Sequence, residues 1–280
     1  NPYLNLGEME NKGIDASLEF NKRINSELSI SARGNFTFNR NKKLYDDQPH
    51  PNYPYMDVIG KPWNQQFGYI ALGYFLSEDE IANSPKQLDN PRVGDLKYKD
   101  INGDGIVNTD DYVAIGRTSI PEINYGFGVN LNWRNFDISF FFQGVGNVTA
   151  FIRGETLDMS DTNQLYSNVY RDVALNYWTP ERPDAKYPRL SINGSQNNLA
   201  PSTHNQRDMS FLRLKSAEIG YALPKQVCKK LSSSGIRFYI SGSNLLTFSK
   251  FDLWDPEINS SQGASYPNMR AVNLGATFNF

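Results

Sequence analysis

The segment Asp100-Ile101-Asn102-Gly103-Asp104-Gly105-Ile106-Val107-Asn108-Thr109-Asp110-Asp111 carries the most specific chemistry in the chain. Oxygen side chains stand at loop positions one, three, five, nine and twelve: Asp100, Asn102, Asp104, Asn108 and Asp111. Gly105 occupies position six, where a twelve-residue calcium loop turns sharply, and Ile106 offers its carbonyl at seven. Ca2+ takes about six to eight hard oxygen ligands at about 2.3–2.6 Å, and this set supplies them, Asn108 directly or through water. The expected cofactor is a structural Ca2+, because nearly every carboxylate here has a ligand position to fill. The alternative is an Asx-rich turn that closes on its own N–H groups without metal.

Little else in the sequence points to reactive chemistry. One cysteine, Cys228, excludes an internal disulfide and a cysteine zinc site. Two histidines, His50 and His204, make histidine metal chemistry a poor fit. There is no nucleophile elbow, no His-Glu-x-x-His and no phosphate-binding Gly-Lys motif, so no enzyme is expected. The net charge of -2 gives nucleic acid no footprint. Mean hydropathy is -0.56 and no long apolar run occurs, which excludes a transmembrane helix. Alternating membrane strands average out as polar and remain open.

The elements that must carry the loop read as such strands. In the last segment Arg270, Val272, Leu274, Ala276, Phe278 and Phe280 share one face, and Ala271, Asn273, Gly275, Thr277 and Asn279 the other. Ile14, Ala16, Leu18 and Phe20 alternate with Asp15, Ser17, Glu19 and Asn21; after a polar turn at 22–26, a second strand runs through Leu28 to Phe38. Tyr125 to Trp133 and Phe136 to Phe142 form another pair around Arg134-Asn135, with Phe141 pointing to the polar side. Ala217 to Tyr221 and Ile236 to Ile240 flank a basic turn at 224–235; Arg213 and Lys215 spoil the alternation above, so that part is expected to project beyond the lipid.

Lipid is therefore the expected partner of Ile14, Leu18, Phe36, Leu131, Phe140, Phe238, Leu274 and Phe278. Asp15, Arg33, Asn130 and Asp137 are expected to face a lumen, because a dry core rejects unpaired charge.

Between the strands lie long stretches at 41–124, 146–210 and 250–268. The first is expected to be one large structured loop with short strands near 66–75 and 95–99. The second carries Tyr166, Val169, Tyr170, Val173, Ala174 and Tyr177 at helical spacing, capped by Asp161 or Thr162 and stopped by Pro180 and Pro183. Short turns and long loops alternate, so they fall on opposite sides, as in outer-membrane barrels. The fold expected is all-β: an antiparallel transmembrane β-barrel segment of about seven strands with long extracellular loops and a short loop helix. Seven strands with open edges leave backbone groups unpaired in lipid. Together with the absence of a start Met at Asn1, this makes a portion of a larger chain the expectation.

Two resemblances sharpen this reading. Asn273, Gly275, Phe278 and the final Phe280 resemble the C-terminal assembly signal of bacterial outer-membrane barrels. Gly7-Glu8-Met9-Glu10-Asn11-Lys12-Gly13, Gly94-Asp95 ahead of the calcium-like loop, and Ile115-Gly116 after it resemble SusC/RagA-type TonB-dependent outer-membrane transporters. So do Tyr177-Trp178-Thr179-Pro180-Glu181, Phe211-Leu212-Arg213-Leu214-Lys215 and Gly242-Ser243-Asn244-Leu245. The resemblance covers essentially the whole chain. It implies the C-terminal part of a 22-stranded barrel in the outer membrane, with no plug domain in these residues. It further implies import of oligosaccharides or peptides, the TonB system acting through the N-terminal part, and a SusD-like surface lipoprotein capping the barrel. Trp63, Tyr166, Trp178 and Trp254 are the candidate partner or ligand anchors, or else loop-core residues. The competing reading is a soluble secreted β-protein or carbohydrate-binding module with a calcium loop.

Overall fold

The computed structural model describes residues 6–152, 170–191, 194–258, 263 and 265–280. In chain order the strands and helices are β1 (Glu8–Arg23), β2 (Leu28–Tyr45), β3 (Phe67–Gly68), β4 (Ala71–Tyr74), α1 (Glu78–Ala82), β5 (Leu96–Tyr98) and β6 (Val113–Ala114). There follow β7 (Ile123–Trp133), β8 (Phe136–Gly146), β9 (Thr149–Phe151), α2 (Arg171–Asn176), α3 (Gln196–Leu199) and β10 (Gln206–Asp208). The chain closes with β11 (Phe211–Ala222), α4 (Lys225–Lys230), β12 (Gly235–Ser249) and β13 (Ala271–Asn279).

Seven strands form one antiparallel sheet in the order β1-β2-β7-β8-β11-β12-β13. Its register aligns the apolar residues of every strand. One row runs Leu28, Trp133, Phe136, Tyr221 and Phe238, and the next Ile30, Leu131, Ile138, Ile219, Ile240 and Leu274. Among the described residues no second sheet covers this face: Leu18 is 75% exposed and Leu274 80%. An apolar face this wide left uncovered is a lipid contact, not a sandwich core. Trp133, Phe136 and Tyr221 stack along the short-turn end, where an interfacial girdle belongs.

The short connections 24–27, 134–135 and 223–234 lie at one end of the sheet, and the segments 46–122, 147–210 and 250–270 at the other. The strands outrun the sequence estimate: β2 continues to Tyr45 and β1 to Arg23, so the first long segment starts later than 41. The turn at 224–235 contains α4. In the second long segment the described helices are α2, with Tyr170 as its N-cap, and the short α3; Asp161, Thr162, Tyr166 and Val169 lie outside the described residues.

Arg213 and Lys215 break the alternation for a specific reason. Between Leu214 and Ser216 β11 carries one residue more than β8, and β12 carries one more again, with Asn244 at a positive φ of 53°. Arg213 stands opposite Gln143 on the interior face.

Placing Arg at Leu131, in the middle of the apolar rows, should cost about 2–4 kcal/mol. Urea unfolding in lipid measures it. A cost near zero would mean that Leu131 does not meet hydrocarbon.

Candidate functional site

The described residues of the long segments, at the end of the sheet away from the short connections, form a platform with two cores. Tyr69, Leu96, Tyr98 and Val107 make one; Val148, Ile152, Val173, Tyr187, Met209 and Phe251 make the other, drawing on all the stretches beyond 146. The calcium-like loop sits beside the first core, because Val107 is buried there.

Within that loop each of the five side chains at the ligand positions receives a backbone N–H. Asp100 accepts from Gly103 at 2.7 Å and Gly105 at 2.8 Å. Asn102 accepts from Asp104 at 3.0 Å, Asp104 from Ile106 at 2.8 Å, and Asn108 from Asp110 at 2.7 Å. Asp111, fully buried, accepts from Ile101 at 2.6 Å and Asn108 at 2.9 Å. Gly105 has φ +86°, a conformation other residues adopt at a cost. The flanks are strand β5 and a single 3-10 turn over Thr109–Asp111, not a helix pair. Tyr55 anchors the loop by donating to the Asp110 carbonyl at 2.6 Å. The hard-oxygen set fits calcium chemically. Among the described residues, however, no three acidic, histidine or cysteine side chains gather as a metal-holding group.

A second constellation had no signature in the sequence. Buried Asp95 accepts from Arg92 N at 2.8 Å, Arg189 Nη2 at 3.0 Å and Asn198 Nδ2 at 2.8 Å. Asn198 accepts from Leu96 N at 3.0 Å, and Asn197 donates to the Leu96 carbonyl at 2.8 Å. Asn205 donates to the carbonyls of Asn198 and Ala200 at 2.8 and 3.0 Å. These amides bolt the segment 46–122 onto 147–210. His204 belongs to the same seam, edge-on to Tyr74 at 5.6 Å, and burial pushes its pKa down to about 4. It is therefore neutral at ordinary pH.

The third long segment is held by charge. Arg213, 2% exposed, bridges Asp255 and Glu257, the latter at 2.9 Å, and Lys215 reaches Glu257 at 2.7 Å. Nearby, a cavity of about 270 Å³ opens between Ile120, Val145, Met209, Phe211 and Pro256, with Ser119, Gln143, Thr149 and Glu257 as its polar wall.

The interior face below is polar and cross-linked. Arg237 binds Asp137 and Glu218, its Nε lying 3.0 Å from Asp137. Thr37 donates to Asp15 at 3.0 Å, and Glu19 stands opposite Arg33. Phe141, the exception to the alternation, lies over Gly126 and Gly128. A Cβ at Gly128 would come within 2.8 Å of the Phe140 carbonyl and 3.0 Å of the Phe141 ring. The Arg33 guanidinium sits 5.4 Å from the centre of that ring.

Of the four aromatic candidates Tyr166 lies outside the described residues, and the other three divide. Trp178 is buried against Gly94, and Trp254 packs on Phe251 and Tyr170, so both are loop-core residues. Trp63 is 51% exposed, with the Lys43 ammonium 5.0 Å from its ring centre. In the last strand Asn273 faces Ser241 and Phe278 faces Ile236, while Phe280 is 94% exposed. Gly275 leaves room for the Tyr239 ring, which a Cβ would meet at 2.2 Å.

An open two-faced sheet with an apolar outer wall, a charged inner wall and all its long loops at one end defines a segment of a transmembrane β-barrel. No protein-family model matches the chain. It is 31% identical to the TonB-dependent receptor P26 of Formosa agariphila, over 99% of this chain and 30% of that protein. To the TonB-dependent receptor SusC of Bacteroides thetaiotaomicron it is 22% identical, over 99% of this chain and 27% of that one. Its fold matches the structure of the RagAB peptide importer in the closed-closed state with TM-score 0.72 and 24% identity, covering 99% of this chain and 30% of that one. Along its whole length the chain is similar to TonB-dependent receptors, SusC among them, and it has the fold of a segment of the outer-membrane barrel that RagAB shares. It spans about three-tenths of the length of these relatives.

Proposed function

We propose that the chain forms the C-terminal portion of a TonB-dependent barrel that imports oligosaccharides or peptides together with a SusD-like surface lipoprotein. In this reading residues 1–280 hold barrel strands and outer loops without a plug. Further strands of the complete protein close the edges left open at β1 and β13. TonB acts through the N-terminal part, and the segment carries no catalytic step. The observation that supports the reading is the end-to-end match to TonB-dependent receptors on a seven-stranded sheet with two opposite faces. Peptide is the better-supported cargo. The mouth cavity is walled mainly by aliphatic and aromatic carbon, which suits an apolar side chain better than a hydroxyl-covered sugar. The neighbouring RagAB structure is that of a peptide importer.

The partner reading has a direct test. Deleting residues 52–112 from the complete protein should abolish co-purification with the lipoprotein while heat-modifiable migration of the barrel persists. Retention at full strength would move the docking surface to loops outside this chain.

We further infer that Asp100, Asn102, Asp104, Ile106, Asn108 and Asp111 hold Ca2+, which would stiffen the platform and lower the ordering cost of docking. The spacing of donors and the positive φ of Gly105 support this; the carboxylates would have to turn inward from their present N–H contacts. Terbium luminescence, competed by calcium, should report a Kd in the range of about 10⁻⁴–10⁻³ M usual for extracellular calcium modules. Asp104→Ala should remove the signal. Absence of binding in millimolar calcium would leave the loop as a metal-free Asx turn.

A further inference from the structure

The short-turn end of the sheet holds a feature that lipid-facing strands alone do not need. Ile236 stands in register with Phe278 on the apolar face, yet it is only 5% exposed, whereas Phe278 is 53% and Phe238 47% exposed. The cover comes from the connection at 223–234, whose helix α4 packs on β12. Leu223 N donates to the Ile236 carbonyl at 2.8 Å, and Cys228 is buried beneath the helix. Both flanks of the connection are tied to neighbours. Ala222 N, at the end of β11, donates to the Asn135 carbonyl at 2.8 Å, and Ser234 N to the Asn279 carbonyl at 2.7 Å. Burial of Ile236 therefore sets α4 on the lipid side of the wall, continuous with the row Trp133, Phe136 and Tyr221.

The residues of α4 suit that position. Val227 and the C-cap residue Leu231, four apart, form one exposed apolar stripe, 41% and 57% accessible. Lys225, Lys229 and Lys230 are exposed around the rest of the helix. No acidic residue occurs from 219 to 251. Across the three short connections and the adjoining end of β1, six basic residues (Lys22, Arg23, Arg134 and the three lysines) stand against one acid, Glu27. Glu27 is already paired with Arg134 at 2.8 Å.

We propose that α4 is an interfacial anchor for anionic phospholipid in the leaflet at the short-turn end. Val227 and Leu231 enter the boundary between headgroups and acyl chains, and the lysines attract lipid phosphate. This division of apolar and basic faces is the one that holds amphipathic helices in the plane of a membrane. Anchoring this connection also holds the end of β13 through the Ser233 and Ser234 contacts to Asn279.

The test uses the complete protein in nanodiscs of phosphatidylcholine alone or mixed with phosphatidylglycerol. Amide exchange across 224–234 is followed by mass spectrometry. Exchange should slow about tenfold in the anionic discs at low salt, and the difference should shrink at high salt. The triple change Lys225→Gln, Lys229→Gln and Lys230→Gln should erase the dependence on lipid charge with heat-modifiable migration intact. Val227→Asn with Leu231→Asn should raise exchange in both kinds of disc. Equal exchange in the two lipids, or a lysine-free variant that keeps the difference, would overturn the proposal. Protection that appears only on adding a soluble periplasmic fraction would overturn it in favour of a protein partner.

Discussion

Replacing Arg213 with Met should release residues 250–258 from the barrel mouth. Among the described residues Arg213 is the single cation that touches both Asp255 and Glu257, and it is almost wholly buried. Its removal leaves Glu257 with Lys215 and strips Asp255 of its cation. Breaking a buried pair on one side costs about 3–5 kcal/mol, because the remaining charge has lost its solvent and its partner. Local amide protection should fall by about two to three orders of magnitude. Arg213→Lys should recover only part of it, since a point charge cannot bridge two carboxylates as a planar fork does. Unchanged protection in Arg213→Met would show that the aromatic packing of Phe251 and Trp254 holds the loop by itself.

The same cluster sets an acid limit. Burial alone would raise the Asp255 carboxyl, but hydrogen bonds from Arg213 and the Glu257 backbone outweigh it and hold the group below its ordinary 3.8. A depressed folded value means that the contribution is complete above about pH 3.8 and is lost as pH falls through the folded value. Protease resistance of the loop should thus stay level from neutral pH to about pH 5 and decline below about pH 4. A decline centred near neutrality would point to a different group.

Asp95→Ala should have a comparable effect on the platform. It removes the acceptor shared by Arg92 N, Arg189 and Asn198, and leaves a guanidinium and an amide facing a buried gap. The expected cost is about 3–5 kcal/mol. It should appear as loss of exchange protection in both 67–98 and 196–206, because the site joins the two segments. Asp95→Asn keeps the shape without the charge and should cost less. A cycle with Asn198→Ala should show a coupling of about 0.5–3 kcal/mol. Additive effects would mean that the segments are held by their apolar cores, with the amides incidental.

Much of the barrel wall was legible residue by residue. A strand alternates with period two, so Ile14, Leu18, Phe36, Leu131 and Phe278 declare their face to any reader, and Arg134-Asn135 declares its turn. The side on which each long loop falls follows from parity alone. Contacts between residues far apart in the chain leave no such mark. Asp95 and Asn198 lie 103 residues apart in segments without periodicity, and a buried Asn reads like any exposed loop Asn until its partners are known. Phe141 announced its departure from the pattern, but its seat over Gly126 and Gly128 depends on the register of β7 against β8. The bulge at Leu214 and Ser216 turned an apparent end of alternation into an inward charge cluster, because one extra residue rotates Arg213 toward loop acids that only the fold brings near. Ile236 makes the same point from the other side. Its pattern assigns it to lipid, and the helix folded over it, through tertiary contacts no local period encodes, takes it out of lipid's reach.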